Sequence, residues 1–449
     1  MLIFRSGVAL RKLSWFVSIR KNHFNAEFLG KNAANYAPLT PLSTFERAVS
    51  LYPSAAAYVY NDVHRTWGEV GHRVKSFASA LVHIGVRRGD VVSIMCPNTP
   101  PIFEAHFAVP GAGAVLHTIN TRLDAASIAF QLLHAETKVV LVDTEYNQVI
   151  QDVKRQLLLH DHHHRLPVFI SIHDVNSLSL PSSDEGEDQT TKTTTIRATT
   201  TKATPSCLDT YQRESAVDTF SLEYESFLRS GDVHFPLLPC LDEWDAISLN
   251  YTSGTTGDPK GVVYHYRGAY LNAISNAIEW NMERFSRFLW VVPMFHCNGW
   301  VFPWTLAATV GCSYFVRYVR GDTLIEMIDQ HRIGYLAGAP ITMITMLGCK
   351  DSVKRRFQHP VKMWTAGAPP PPPVMKRFAE EFGVFVQTAY GLTETYGPCT
   401  SHLPDLEWTE KTAEELLLLS TIQARSAMVE GCKVIDVETM EEVPADGMS

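Results

Sequence analysis

Cysteine is scarce in this sequence and nowhere at metal or disulfide spacing. The eight residues Cys96, Cys207, Cys240, Cys297, Cys312, Cys349, Cys399 and Cys432 are scattered, with no CxxC pair and no histidine at zinc-finger distance. A zinc module and a disulfide scaffold are therefore excluded, and reduced, mostly buried thiols are expected. An excess of basic charge is also missing. A net charge of -8 over 449 residues argues against a nucleic-acid surface while leaving room for a local pocket that takes a small anion. Long uninterrupted apolar runs are lacking too. The most apolar stretch, Leu289 to Val316, is broken by Pro293, His296, Asn298 and Pro303, which lipid would leave unsatisfied, so it reads as core strands and loops and no transmembrane segment is expected.

Acidic residues are missing from the N-terminus until Glu27, while Arg5, Arg11, Lys12, Arg20 and Lys21 stand among Leu, Ile, Val, Phe and Trp. Residues 1–36 thus form a basic leader with the composition of a mitochondrial transit segment, the alternative being a basic helix with no address. Mitochondrial targeting is the expectation, with peroxisomal and cytosolic locations kept open. At 45% hydrophobic and 19% charged, the remainder is a globular chain long enough for several packed layers.

The amphipathic pattern through Val74-Lys75-Ser76-Phe77-Ala78-Ser79-Ala80-Leu81, followed by the compact run Val91-Val92-Ser93-Ile94-Met95 and later by Val139-Val140-Leu141-Val142, predicts helices alternating with buried parallel strands between Thr44 and about Val142. From about 180 to 217 the composition turns to Ser, Thr, Asp and Glu, which cannot offset ordering entropy by burial, so a surface insertion is expected, with structure resuming near Trp244. His160-Asp161-His162-His163-His164 reads as a solvated loop, because adjacent imidazoles point in different directions. The run Pro369 to Pro373 is expected to be extended or turn throughout.

The strongest chemical signal is Tyr251-Thr252-Ser253-Gly254-Thr255-Thr256-Gly257-Asp258-Pro259-Lys260-Gly261, between Ile247-Ser248-Leu249 and Val262-Val263. Its glycines allow tight turns with exposed amides, its hydroxyls add donors and Lys260 adds a point charge, a set suited to a polyphosphate. The Gly-Lys-Ser/Thr ending of the common P-loop is missing, so the kinase and hydrolase folds that use it are not implied. Tyr390-Gly391-Leu392-Thr393-Glu394-Thr395 offers an aromatic face, a hydroxyl and a hard carboxylate, a reasonable set for adenine, phosphate and magnesium. Pro293-Met294-Phe295-His296-Cys297-Asn298-Gly299-Trp300 carries a histidine among apolar residues, which by itself reads as a core histidine as readily as an active-site group.

Taken in order, these stretches resemble the adenylate-forming superfamily of acyl-CoA synthetases, firefly-type luciferases and peptide-synthetase adenylation domains, and their wording is most similar to its plant-type acyl-activating branch. Leu123-Asp124 after Ile119-Asn120-Thr121-Arg122, and Val434-Ile435-Asp436-Val437-Glu438-Thr439, add to that likeness. The resemblance implies an α/β fold with layered α-β-α subdomains and parallel-rich sheets over 37–449, the large N-terminal domain of these enzymes. It implies ATP, Mg2+ and CoA as co-reactants of a small carboxylic acid, fatty or aromatic, which becomes an acyl-adenylate and then an acyl-CoA.

By the same resemblance, Thr252, Ser253, Gly254, Thr255, Thr256, Gly257 and Lys260 wrap the phosphates. Tyr390, Gly391, Gly367, Ala368 and Pro369 line the adenine, and Gly338-Ala339-Pro340 is a related turn beneath the acyl group. Thr393 faces the α-phosphate, Glu394 holds the metal and His296 stands beside the carboxylate. The family continues beyond the position of Gly447 with a ribose-binding aspartate and a small C-terminal domain bearing a lysine. This domain is expected to be absent from the chain and the complete reaction to be impaired, so a nucleotide- or acyl-binding module without turnover is the rival reading. His265-Tyr266-Arg267 departs from the family's usual Ser-His-Arg and puts local packing in question. The oligomeric state is left open.

Overall fold

The computed structural model describes residues 30–32, 34–160, 166–174, 222–252, 259–401, 411–412, 415–416 and 433–443. The basic leader up to residue 29, His162 to His164 and the Thr-rich insertion fall outside the described residues, as do Ser253, Gly254, Thr255, Thr256 and Gly257. The chain divides into two units, Met1–Pro38 and Leu39–Ser449. What is described of the first is a turn in which the Asn32 N–H donates to Asn35 Oδ1 at 2.9 Å and the Lys31 ammonium lies 3.4 Å from the centre of the Tyr36 ring.

The described residues of the second unit form two sheets. Its strands in chain order are β1 Ala56–Tyr60, β2 Val63–Thr66, β3 Val91–Met95, β4 Val115–Thr118, β5 Val139–Asp143, β6 Val168–Ile172, β7 Leu222–Glu223, β8 Ala246–Tyr251, β9 Gly261–His265, β10 Arg287–Trp290, β11 Cys312–Phe315, β12 Tyr335–Gly338, β13 Val361–Thr365, β14 Val384–Leu392 and β15 Gly397–Ser401. One sheet runs β7-β6-β5-β3-β4-β8-β9 and the other β15-β14-β13-β12-β10-β11-β1-β2. Among the named strands of the described residues, only the pairs β8–β9, β1–β2 and β14–β15 are antiparallel, and all three lie at sheet edges.

Alternation along the strands explains the layering, because successive side chains point to opposite faces. Val92 and Ile94 of β3 and Val139 and Leu141 of β5 enter a core shared with Phe288 and Trp290 of β10. Val140 and Val142 pack instead with Ile128, Leu132, Ile150 and Val153 on the outer face of the first sheet. Leu289 joins Leu324, Ile328, Met343 and Phe378 on the outer face of the second. The shared core is filled by the helices Pro41–Leu51, Trp67–His83, Pro100–Gly111, Tyr266–Glu279 and Phe302–Thr309, so sheets and helices alternate in layers.

Helix starts follow local chemistry. At Trp67–His83, Thr66 Oγ1 accepts the Glu69 N–H while Glu69 returns a carboxylate to the Thr66 N–H at 2.8 Å, a capping box that fixes the first turn. Asp124 caps Ala125–His134 by accepting from the Ser127 N–H at 2.8 Å. His265 performs the same service for Tyr266–Glu279, with Nδ1 accepting the Gly268 N–H at 2.8 Å and Trp244 packed on its ring. Tyr266 then donates to the Pro110 carbonyl and Arg267 pairs with Glu243 at 2.7 Å, so the unusual His-Tyr-Arg triplet is fully accommodated.

Three expectations need correction. The proline run is not extended to its end: the helix Pro372–Phe382 starts inside it, since first-turn N–H groups have no partner within the helix and proline loses nothing there. The Leu289–Val316 stretch contains a helix, Phe302–Thr309, whose Phe302, Pro303, Trp304, Thr305, Leu306 and Ala307 are all buried, leaving no polar face to mark its period. Structure also resumes well before Trp244, with β7 and the helix Tyr224–Arg229, where Glu223 caps the helix through the N–H groups of Glu225 and Ser226. The six described cysteines are unpaired. Among the described residues no helix is long and apolar enough to cross a membrane.

Candidate active site

Parallel α/β sheets bind ligands beyond the carboxyl ends of their strands, and the motifs read from sequence converge there. In the second sheet, β10, β12, β13 and β14 are neighbours. The chain leaving β10 contains His296, that leaving β12 contains Ala339-Pro340, and that leaving β13 contains Gly367, Ala368 and Pro369. Strand β14 itself ends in Tyr390, Gly391 and Leu392 before Thr393 and Glu394. From the first sheet, β4 delivers Ile119 to Asp124 and β8 delivers Tyr251 and Thr252.

Side chains of the first sheet hold the segment after β10. Asn98 Nδ2 donates to the Val292 carbonyl at 2.9 Å, and its Oδ1 accepts the Met294 N–H at 2.8 Å. Thr118 and Asn250 both donate to the Phe295 carbonyl, at 3.3 and 3.1 Å. His296 therefore sits at the end of a segment pinned residue by residue. Its side chain opens to solvent but is walled by protein, and this partial desolvation, with the Arg122 guanidinium as the second cause, holds its pKa below the ordinary histidine value.

After His296 the backbone makes a left-handed turn. Cys297, Asn298, Gly299, Trp300 and Val301 have φ of 46, 52, 60, 53 and 69°. Left-handed helical backbone costs about 1–2 kcal/mol per L-residue other than glycine, so this turn stores several kcal/mol, which the packing around it must offset. Only glycine fits at 299, where a Cβ would lie 2.6 Å from the Trp290 ring. Asn276 Nδ2 donates to the Trp300 carbonyl at 2.9 Å. Asn298, fully buried, donates to His106 Nε2 at 3.2 Å and accepts from the Tyr396 hydroxyl at 3.2 Å.

Tyr396 links this turn to the segment that carries Thr393 and Glu394. Its ring stacks on Tyr264 with centres 3.5 Å apart, and its hydroxyl meets Ser248 Oγ at 2.9 Å. Tyr264 in turn donates to the Thr393 carbonyl at 2.6 Å. Thr395 Oγ1 accepts the Leu392 N–H at 2.8 Å, closing the Thr393–Glu394 turn. Cys297 lies against the same turn, and burial pushes its thiol up to about 11, so it is protonated at neutral pH and packs instead of reacting. Gly391 crosses so close to β15 that a Cβ would fall 1.9 Å from the Gly397 carbonyl oxygen.

The remaining candidate residues are mostly exposed. Thr252 and Lys260, which flank residues 253–258 in sequence, pair through Thr252 N–H to Lys260 O, 3.0 Å, and Lys260 N–H to Thr252 Oγ1, 3.2 Å. The Lys260 ammonium and the Glu394 carboxylate are exposed and make no ion pair among the described residues. Tyr390 is exposed on β14, and Gly367, with φ of +84°, has open space where a Cβ would stand. No group of three or more His, Cys, Asp or Glu able to hold a metal exists among the described residues. A single free carboxylate fits Mg2+ nonetheless, because this ion takes one or two carboxylates and fills its other positions with water and substrate phosphates.

Tyr264, Tyr396, Asn98, Asn250 and His106 carry no chemical role in the sequence motifs, and Asn298 stands there only as a neighbour of His296. Tyr396 and Asn298 stand within or next to motifs already recognised, and that adjacency was the available signal. His106, buried within the helix Pro100–Gly111, had none.

The chain belongs to the AMP-binding enzyme family, whose model matches residues 45–448. It is 37% identical over 422 residues to an acetate–CoA ligase of Humulus lupulus, covering 93% of this chain and 69% of that one. It is 36% identical over 421 residues to a peroxisomal acetate/butyrate–CoA ligase of Arabidopsis thaliana, with 93% and 68% coverage. In fold it is similar to an anthranilate CoA ligase solved with anthranoyl-AMP, at a TM-score of 0.68, 18% identity, and coverage of 93% of this chain and 70% of that one.

Proposed function

We propose that the chain carries the site of an ATP-dependent acyl-CoA ligase, in which a carboxylic acid becomes an acyl-adenylate with release of pyrophosphate and the acyl group then passes to CoA with release of AMP. The observation that carries this reading is the convergence of four motifs on the ends of β10, β12, β13 and β14, with the turn next to His296 joined to the Thr393–Glu394 turn through Asn298 and Tyr396.

The acid is already an anion at neutral pH, so no base is required. Attack of a carboxylate oxygen on the α-phosphorus forms the acyl–phosphate bond and breaks the bond to pyrophosphate, and the chain supplies position and charge. His296, largely neutral because of its lowered pKa, offers an N–H to the acid without competing as a second cation. Thr393 faces the α-phosphate, while Thr252, Ser253, Gly254, Thr255, Thr256, Gly257 and Lys260 take the departing phosphates. Tyr390 and Gly391, with Gly367, Ala368 and Pro369, receive the adenine. Glu394 would hold Mg2+, which supplies charge neutralisation at the phosphates when bound.

The names of the two plant relatives support a short-chain acid as substrate, and the Arabidopsis name supports a peroxisomal over a mitochondrial location. The test is ATP–pyrophosphate exchange on the purified chain with Mg2+ and acetate, butyrate, hexanoate or benzoate. Acid-dependent exchange, greatest with acetate or butyrate, is expected. A folded chain that exchanges with none of them would be a binding module without turnover.

A further inference from the structure

We infer that His106, Asn298 and Tyr396 form a positioning relay that sets His296 against the Thr393–Glu394 turn, and so holds the acid and the nucleotide in register. The inference takes its consequence for turnover from the acyl-activating reading, but its geometry stands apart from it.

The direction of every bond in the relay follows from one carbonyl. The Ile102 carbonyl lies 2.7 Å from His106 Nδ1, and a carbonyl oxygen only accepts, so Nδ1 carries the proton. Burial pushes the His106 imidazole down to about 4, so it is neutral and Nε2 is a bare acceptor. Only the amide nitrogen of Asn298 can serve it, at 3.2 Å. The amide oxygen of Asn298 must then face Tyr396, which donates its proton there, and Ser248 must donate to the Tyr396 oxygen. The chain thus runs from Ser248 on β8 through Tyr396 and Asn298 to His106 and the Ile102 carbonyl, with one proton per bond.

Two features make this more than core packing. The relay grips Asn298 inside the left-handed turn, two residues after His296. Its other anchor, Tyr396, ends the turn that carries Thr393 and Glu394 and stacks on Tyr264, which itself bonds Thr393. Asn298 is spent entirely on other side chains, so no local sequence preference substitutes for it.

The test uses the whole chain labelled in histidine, with imidazole titrations followed by NMR and the His296 signal assigned by His296→Gln. His296 should titrate below the ordinary histidine value in the unsubstituted chain and move upward in Tyr396→Phe and Asn298→Leu, as the turn relaxes and solvent reaches the ring. His106→Gln, whose amide oxygen can accept from Asn298, should keep the His296 titration low where His106→Leu does not. In ATP–pyrophosphate exchange, Tyr396→Phe should lose at least tenfold in kcat with the KM for ATP within twofold. An unmoved His296 titration in folded Tyr396→Phe and Asn298→Leu overturns the relay. Should Asn298→Leu fail to fold, Tyr396→Phe removes a single oxygen and decides the matter together with the His106 pair. No exchange by the unsubstituted chain, with the His296 shift present, would overturn the acyl-activating reading and leave the relay supported.

Discussion

Arg317 forks onto Asp143 with hydrogen bonds of 2.7 and 2.9 Å, joining the end of β11 in one sheet to the end of β5 in the other. Both groups are buried, and the same guanidinium also reaches Glu145 at 2.6 Å and Asp174 at 2.8 Å. Such a clasp fixes how the two sheets meet at the edge that carries the candidate site.

Removing one partner of a buried ion pair strands the other, at a cost of about 3–5 kcal/mol. Arg317→Met, which keeps bulk and loses charge, should therefore lower the unfolding free energy in urea by about that amount. A loss under 1 kcal/mol would mean the clasp is decorative.

Two site glycines should respond differently to alanine. At Gly391 the new Cβ would collide with the Gly397 backbone oxygen, so Gly391→Ala must push β14 and β15 apart, and a loss of about 1–3 kcal/mol in thermal unfolding is expected together with weakened ATP binding. At Gly367 space is open and only the positive φ of 84° resists, so Gly367→Ala should cost about 1 kcal/mol. A larger loss for Gly367→Ala than for Gly391→Ala would contradict this placement.

The sheet interior was readable because strands buried on both faces are compact runs rich in Val and Ile, as at Val91–Met95 and Val139–Asp143. The helix Phe302–Thr309 was unreadable for the complementary reason, since burial on every side erases its period. At the site, the order of motifs gave His296, Thr393 and Lys260 as candidates. The left-handed turn was hidden, because nothing in Cys297, Trp300 or the β-branched Val301 favours positive φ. That conformation is imposed by contacts from Asn276, His106 and Tyr396, which are distant in sequence.

Lys260 and Glu394 make no ion pair among the described residues, so their removal should spare the fold and reduce function. Lys260→Ala and Glu394→Gln should each leave thermal stability unchanged and lower ATP–pyrophosphate exchange by about 100-fold, the usual effect of deleting one charge-stabilising group. Raising Mg2+ should partly restore Glu394→Gln but not Lys260→Ala. A large fall in melting temperature for either variant would instead make it a structural residue.

Acid should destabilise the fold well above the carboxylate range. Burial depresses His106 and His117 to about 4, so between the unfolded histidine value near 6.5 and pH 4 the unfolded chain binds more protons than the folded one. Their stabilising effect is complete above 6.5 and is lost as pH falls towards 4. Roughly 2 kcal/mol per histidine should disappear between pH 7 and pH 5, as measured by urea titrations at the two values. A flat profile would mean these imidazoles are solvated.

The most direct test of a joined acyl and nucleotide site is calorimetric titration of the chain with a non-hydrolysable acyl-adenylate, butyryl-sulfamoyl adenosine, alongside AMP. The reaction intermediate spans both halves of the site, so the analogue should bind at least tenfold tighter than AMP, and the advantage should shrink in Tyr396→Phe. Equal affinity for the two, or binding of neither by folded chain, would contradict the assignment of this edge as an adenylate-forming site.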